Sequence, residues 1–176
     1  MRLGVLLSIL LILVADQASG STYGFTGAWP KGFRILCQDH PEQCQIRTVA
    51  KPVNYLQWES TLEDVNRAVN RSIKYRLDVE DHFDDGPEWG DCDDFALTKR
   101  NILLKRGFDP SNVLFIYAHL HGESEGNDHN VLAIRTDHGL KIMDNMTDEI
   151  YGFDRMMVDW AYMEGIENPK AWLSAD

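Results

Sequence analysis

Gly90-Asp91-Cys92-Asp93-Asp94-Phe95-Ala96-Leu97-Thr98-Lys99 is a turn that runs straight into a helix. Asp91 suits the N-cap, and Asp94 three residues on completes a capping-box pattern. Phe95, Ala96, Ile102 and Leu103 give the helix an apolar stripe. Lys99, Arg100, Lys105 and Arg106 load its second half, where cations suit the dipole, and Gly107 is a natural C′ residue. Cys92 is then the first residue of a buried helix. Unpaired N–H groups at a helix start lower a thiol's pKa, and the thiolate is the nucleophile in cysteine hydrolases. Free cysteine is also among the most buried residue types, so alone Cys92 fits a structural role as well. A base nearby decides between the two.

Downstream, residues 113–118 are a short apolar run expected as a strand, and 119–128 are polar and loop-like. Two strand-like segments follow, 129–135 and 140–144, joined through Thr136-Asp137-His138-Gly139, which reads as a tight hairpin. If Asp137-His138 form a two-residue loop, Thr136 pairs with Gly139, His129 faces Met146 and Asp144 faces Val131. His129 and Asp144 then share a face as diagonal neighbours, roughly 7–8 Å apart at Cα. One extra loop residue would flip one strand's side chains relative to the other. In the two-residue register, His129 is the candidate base for Cys92, and Asp144 orients the imidazole. His40 lies between Cys37 and Cys44, His138 at the hairpin tip and His82 in the acidic run over residues 78–94, and each reads as an ordinary polar residue. His119 and His121 lack a third ligand at zinc spacing.

Further out, Leu62, Val65, Val69 and Ile73 mark one apolar face of a helix over residues 59–73. Residues 80–91, with Gly86, Pro87 and Gly90, read as a loop, and 21–33 as an irregular arm. The tail, with Trp160 and Trp172, is expected to pack back onto the domain. Helices first and an antiparallel sheet after them make an α+β domain.

The N-terminus sets the compartment. Met1-Arg2, an apolar run over residues 3–15, and small residues at Ala18-Ser19-Gly20 form the pattern of a signal peptide over residues 1–20. The run is shorter than the roughly 20 residues of a bilayer-spanning helix. Residues 21–176 then form one domain with no membrane span, taken as a monomer. The net charge of −11 argues against a nucleic-acid partner. Residues 78–94 hold nine carboxylates and no Lys or Arg, and this run surrounds Cys92. Cys37 and Cys44, seven apart around Pro41, can close a disulfide loop in an oxidising compartment, which leaves Cys92 free.

The segment 90–99 resembles the nucleophile motif of the bacterial transglutaminase-like cysteine peptidases. His129-Asn130-Val131-Leu132 and Met143-Asp144-Asn145 are similar to that family's later motifs. Val65-Asn66, Val69-Asn70, the Cys37/Cys44 pair and Asn168-Pro169 before Trp172 also fit, so the likeness covers nearly the whole mature protein. The resemblance implies a papain/transglutaminase-like α+β fold, a Cys-His-Asp triad and a periplasmic location. The best-understood branch comprises calcium-dependent proteases that clip large surface adhesins under a membrane-bound receptor. A protein substrate of the surface-adhesin kind and an inner-membrane regulatory receptor are therefore the expected partners. In that branch the residues flanking the nucleophile bind calcium, which here corresponds to Asp91 and Asp93. Asp93 stands where Glu is usual, and Asn130 where Ala is usual.

Carboxylates on both sides of a thiol disfavour its thiolate, and a bound Ca²⁺ with oxygen ligands would relieve that repulsion. The alternative for the two acids is that Asp91 only caps the helix and Asp93 is solvated. The expected reaction is peptide hydrolysis through an acyl-enzyme on Cys92. Two rival functions are a protein transamidase built on the same machinery and a non-catalytic, calcium-responsive binding module.

Overall fold

The computed structural model describes residues 30–78, 82–122 and 128–175. The expected signal peptide and residues 21–29 of the expected arm lie outside them. Lys31–Asp39 form α1, in which Phe33 and Leu36 are buried. Residues 31–33 are thus helix and not part of an arm, because Phe33 is held edge-on between Phe115 and Trp172, at centroid distances of 5.9 and 5.1 Å. A 3₁₀ turn over Pro41–Cys44 follows, and Cys37 and Cys44 are disulfide-bonded.

Tyr55–Ser72 form α2, whose buried face carries Leu62, Val65 and Val69, and Ile73 is buried just beyond it. Asn54 caps it by accepting from the Gln57 N–H at 2.9 Å. The expected loop over residues 80–91 contains a short pairing. Lys74–Tyr75 (β1) run parallel to Trp89–Gly90 (β2), which leads directly to the start of α3, Cys92–Lys105.

The remaining strands are β3 (Val113–Leu120), β4 (Asp128–Thr136), β5 (Gly139–Met143), β6 (Tyr151–Gly152), β7 (Val158–Met163) and β8 (Leu173–Ser174). They form one antiparallel sheet in the order β6-β5-β4-β3-β7-β8. Helices α2 and α3 share a core with Val113, Phe115, Leu132 and Ile134 on one face of the sheet. The other face buries Ile116, Ala118, Val131, Ala133 and Ile142 beneath Met156. The alternation of these residues along β3 and β4 is the period-2 pattern of a sheet covered on both sides.

Two of the four cations expected in the second half of α3 are buried. Lys99 and Arg100 are not solvated; their exposures are 0% and 1%. Arg100 grips the buried Glu164 with two hydrogen bonds, at 2.5 and 3.3 Å, and Arg47 approaches the same carboxylate at 3.1 Å. This ties α3 to the segment beyond β7. A helix packed against a sheet has too little solvent-facing surface to keep every cation wet. Among the described residues, no helix is long and apolar enough to cross a membrane.

Candidate active site

Local chemistry sets the start of α3. The Asp91 N–H donates to Asp94 Oδ2 at 2.9 Å and the Asp93 N–H to Asp91 Oδ1 at 3.4 Å, a reciprocal capping box. The return of the Asp94 carboxylate leaves no room at Gly90, where an added Cβ would lie 2.1 Å from Asp94 Oδ2. Cys92, the first helical residue, is the free cysteine among the described residues and is partly exposed. It lines a hollow of 440 Å³ with His129, Asn70, Tyr75 and Asn145.

The hairpin has the expected register, from Thr136↔Gly139 to Leu132↔Met143. Its left-handed residue is Gly139, with φ 81°, and the Thr136 hydroxyl donates to the Gly139 carbonyl at 2.7 Å. Pairing ends at Leu132↔Met143, so His129 and Asp144 meet beyond the last rung. There His129 Nε2 lies 2.9 Å from Asp144 Oδ1, and both side chains are buried. An ionised carboxylate only accepts, so Nε2 carries the proton and Nδ1 is left as the acceptor.

Asp144 is held on every side. Oδ1 also accepts from the Met146 N–H at 3.0 Å, and Oδ2 accepts from the Tyr151 hydroxyl at 2.7 Å. Burial works against its charge, yet the His129 ring and these donors hold its acid at about 2. Asn70, from α2, donates to the carbonyls of Asp144 and Thr147, and Asn66 to that of Thr147. Neither Tyr151 nor this clamp can be read from the sequence. Asn66 and Asn70 stand out there as part of a motif, but their partners lie more than 70 residues away.

The thiol is strongly disfavoured as an anion in this geometry. Burial, with the charges of Asp93 and Asp91 added to it, pushes Cys92 up to about 12, against the opposing N–H of Asn130. The acids responsible form a compact group. Asp91, Asp93 and Asp94 each offer a carboxylate oxygen within 4.8 Å of the others, and all three are buried. Asp78 and Asp84 form a second such group around Asp94. Burial, helped by the charges of Asp78 and Asp91, raises the Asp94 acid to about 6. Hard oxygen donors at this density suit Ca²⁺. In sequence Asp94 reads as a cap and, through its place in the acidic run over residues 78–94, as one of the further acids that could join Asp91 and Asp93 around the ion.

The profile of the bacterial transglutaminase-like cysteine proteinases matches residues 23–176. The chain belongs to this family. As a transglutaminase-like cysteine proteinase it acts on protein substrates, and its mixture of helices and antiparallel sheet is the fold expected of it. Among solved structures, calcium-bound LapG of Legionella pneumophila is similar at 22% identity and a TM-score of 0.53, over 66% of this chain and 68% of that one. A further LapG structure matches at 22% identity and a TM-score of 0.51, with the same coverage. These likenesses concern the fold. Comparison with curated protein sequences gives no match.

Proposed function

We propose that this proteinase is exported to the periplasm and cuts a cell-surface protein through Cys92, His129 and Asp144. The observation that carries this reading is the 2.9 Å pairing of His129 Nε2 with Asp144 Oδ1 at the cleft that Cys92 opens onto. With Nε2 protonated towards Asp144, Nδ1 can take the thiol proton. Cys92 Sγ then attacks the peptide carbonyl, and its own backbone N–H at the helix start can steady the oxyanion. The imidazolium protonates the leaving amine as the acyl-enzyme forms. The imidazole next takes a proton from water, which hydrolyses the thioester and frees Cys92.

Asp91 and Asp93, with Asp94, are the residues that would hold Ca²⁺. The ion would supply positive charge beside the thiol and order the segment before α3. The calcium-bound form of LapG, which shares the fold, supports this assignment. The sequence resemblance supports a surface adhesin as substrate and an inner-membrane receptor as regulator. The apolar N-terminal run supports export.

Alkylation of Cys92 by iodoacetamide across pH tests the core of the proposal. With Ca²⁺ added to offset the acids that raise the thiol, reactivity well below pH 8.5 in wild type, lost in His129→Ala, is the expected outcome. A slow thiol indifferent to His129 would sink the triad.

A further inference from the structure

The hollow that holds Cys92 and His129 does not end at them. Leu120 and Met146 form a ridge shared with a second hollow of 420 Å³, lined beyond the ridge by Asp144, Tyr151, Met156 and Met157. The chemistry of the triad makes no use of this space. Its wall sets Leu120, Met146, Met156 and Met157 among polar groups, and Met146 and Met157 are 68% and 71% exposed, large apolar side chains left open beside a cleft. Methionine is flexible and polarisable, so such a wall adapts to apolar groups of varied shape. Of the charged groups in its lining, Arg155 pairs with Glu149 at 2.5 Å and Asp144 with His129 at 2.9 Å.

The direction of proton transfer says which part of a substrate would lie there. The imidazolium of His129 gives its proton to the leaving amine, so the product that follows the cut departs on the His129 side. Asp144 stands behind His129 at 2.9 Å and itself lines the second hollow. We infer that the second hollow is a leaving-side subsite, which takes an apolar side chain of the substrate polypeptide from within a few residues after the cut. This rests on the peptidase reading above. Binding energy gathered there is remote from the reacting atoms and can be used to align the scissile bond.

The test is digestion of a mixed peptide library by wild type, Met157→Glu and Met157→Ala, with cut sites read by mass spectrometry. Alkylation of Cys92 by iodoacetamide, a probe too small to need the hollow, is followed in parallel. Wild type should favour apolar residues at one of the first few positions after the cut. Met157→Glu should cut such peptides about tenfold less efficiently in kcat/KM and shift the preference there towards Lys and Arg. Met157→Ala should show a smaller loss without the shift to basic residues, and carries the test if the glutamate disturbs folding. Cleavage with no apolar preference on that side, or a preference that Met157→Glu and Met157→Ala leave intact, overturns the subsite. Wild type whose Cys92 resists alkylation with Ca²⁺ present defeats the peptidase reading, and the subsite with it.

Discussion

The Tyr151 hydroxyl donates to Asp144 Oδ2 at 2.7 Å, the carboxylate oxygen that His129 does not use. Asp144 therefore cannot rotate without giving up a bond on one side or the other. Burial and the neighbouring Asp144 charge push the Tyr151 phenol up, so it stays a donor throughout the working range. Tyr151→Phe keeps the ring and removes only this bond. Its kcat should fall about 10- to 150-fold with KM unchanged, the range of one hydrogen bond to a charged group. Steady-state kinetics beside a melting curve checks this. A lower Tm with kcat intact would make Tyr151 merely structural.

Asp144 links the site to stability. Its folded value of about 2 lies below the ordinary 3.8, so its contribution is fully present above pH ~4 and is lost as pH falls towards 2. That displacement corresponds to about 2 kcal/mol. Asp144→Asn should be less stable than wild type by about that much at pH 6, with the gap closing near pH 2. Urea unfolding across that interval reads it directly; a gap that does not change with pH would contradict the assignment.

Lys99 behaves in the opposite sense. Burial, only partly offset by Asp144 and Asp148, brings its ammonium down from 10.5 to about 7, and its Nζ has no hydrogen-bond partner. The unfolded polypeptide holds this proton more tightly between pH 7 and 10.5, so stability rises across that window and the penalty is complete below it. Lys99→Met should therefore stabilise the protein at pH 6, by about 1–4 kcal/mol, with the gain fading towards pH 10.5. Urea unfolding at the two pH values measures it. Destabilisation by methionine at pH 6 would mean that the ammonium holds something the fold needs.

Calcium should act on stability as well as on activity. A ligand bound only by the folded state adds about 2.7 kcal/mol at a hundred times its Kd. Thermal unfolding of chelator-stripped protein should move upward on adding Ca²⁺. The upward shift should shrink sharply in Asp94→Asn and Asp93→Asn, the second of which leaves the Asp94 cap in place. An equal shift in wild type and both variants would remove Asp93 and Asp94 from the site.

The parts of this site legible in sequence are the ones that depend on short separations. The capping box at Asp91 and Asp94 spans three residues, and backbone geometry allows few alternatives once an aspartate sits at the N-cap. The hairpin register follows from Thr136 to Gly139, and with it the approach of His129 to Asp144. Tyr151 is not legible, because its reach to Asp144 depends on β6 pairing back onto β5 at Ile142↔Tyr151. The fate of Lys99 is not legible either. A lysine seven residues into a helix reads as a solvated cation until something is packed over it.

By itself the sequence determined the helix that begins at Cys92, the hairpin that follows it and the acidic surroundings of the thiol. Each is fixed by caps, turn residues and charge within a few positions. Only the tertiary structure decided that α3 packs against β4, that Asn70 of α2 clamps the Asp144 backbone at 3.0 Å, and that a second hollow opens beyond the pair. These depend on how a helix and a sheet share one core, and side chains 70 or more residues apart meet only when that core closes. Local grammar can name the candidate groups; packing decides what surrounds them and what they can reach.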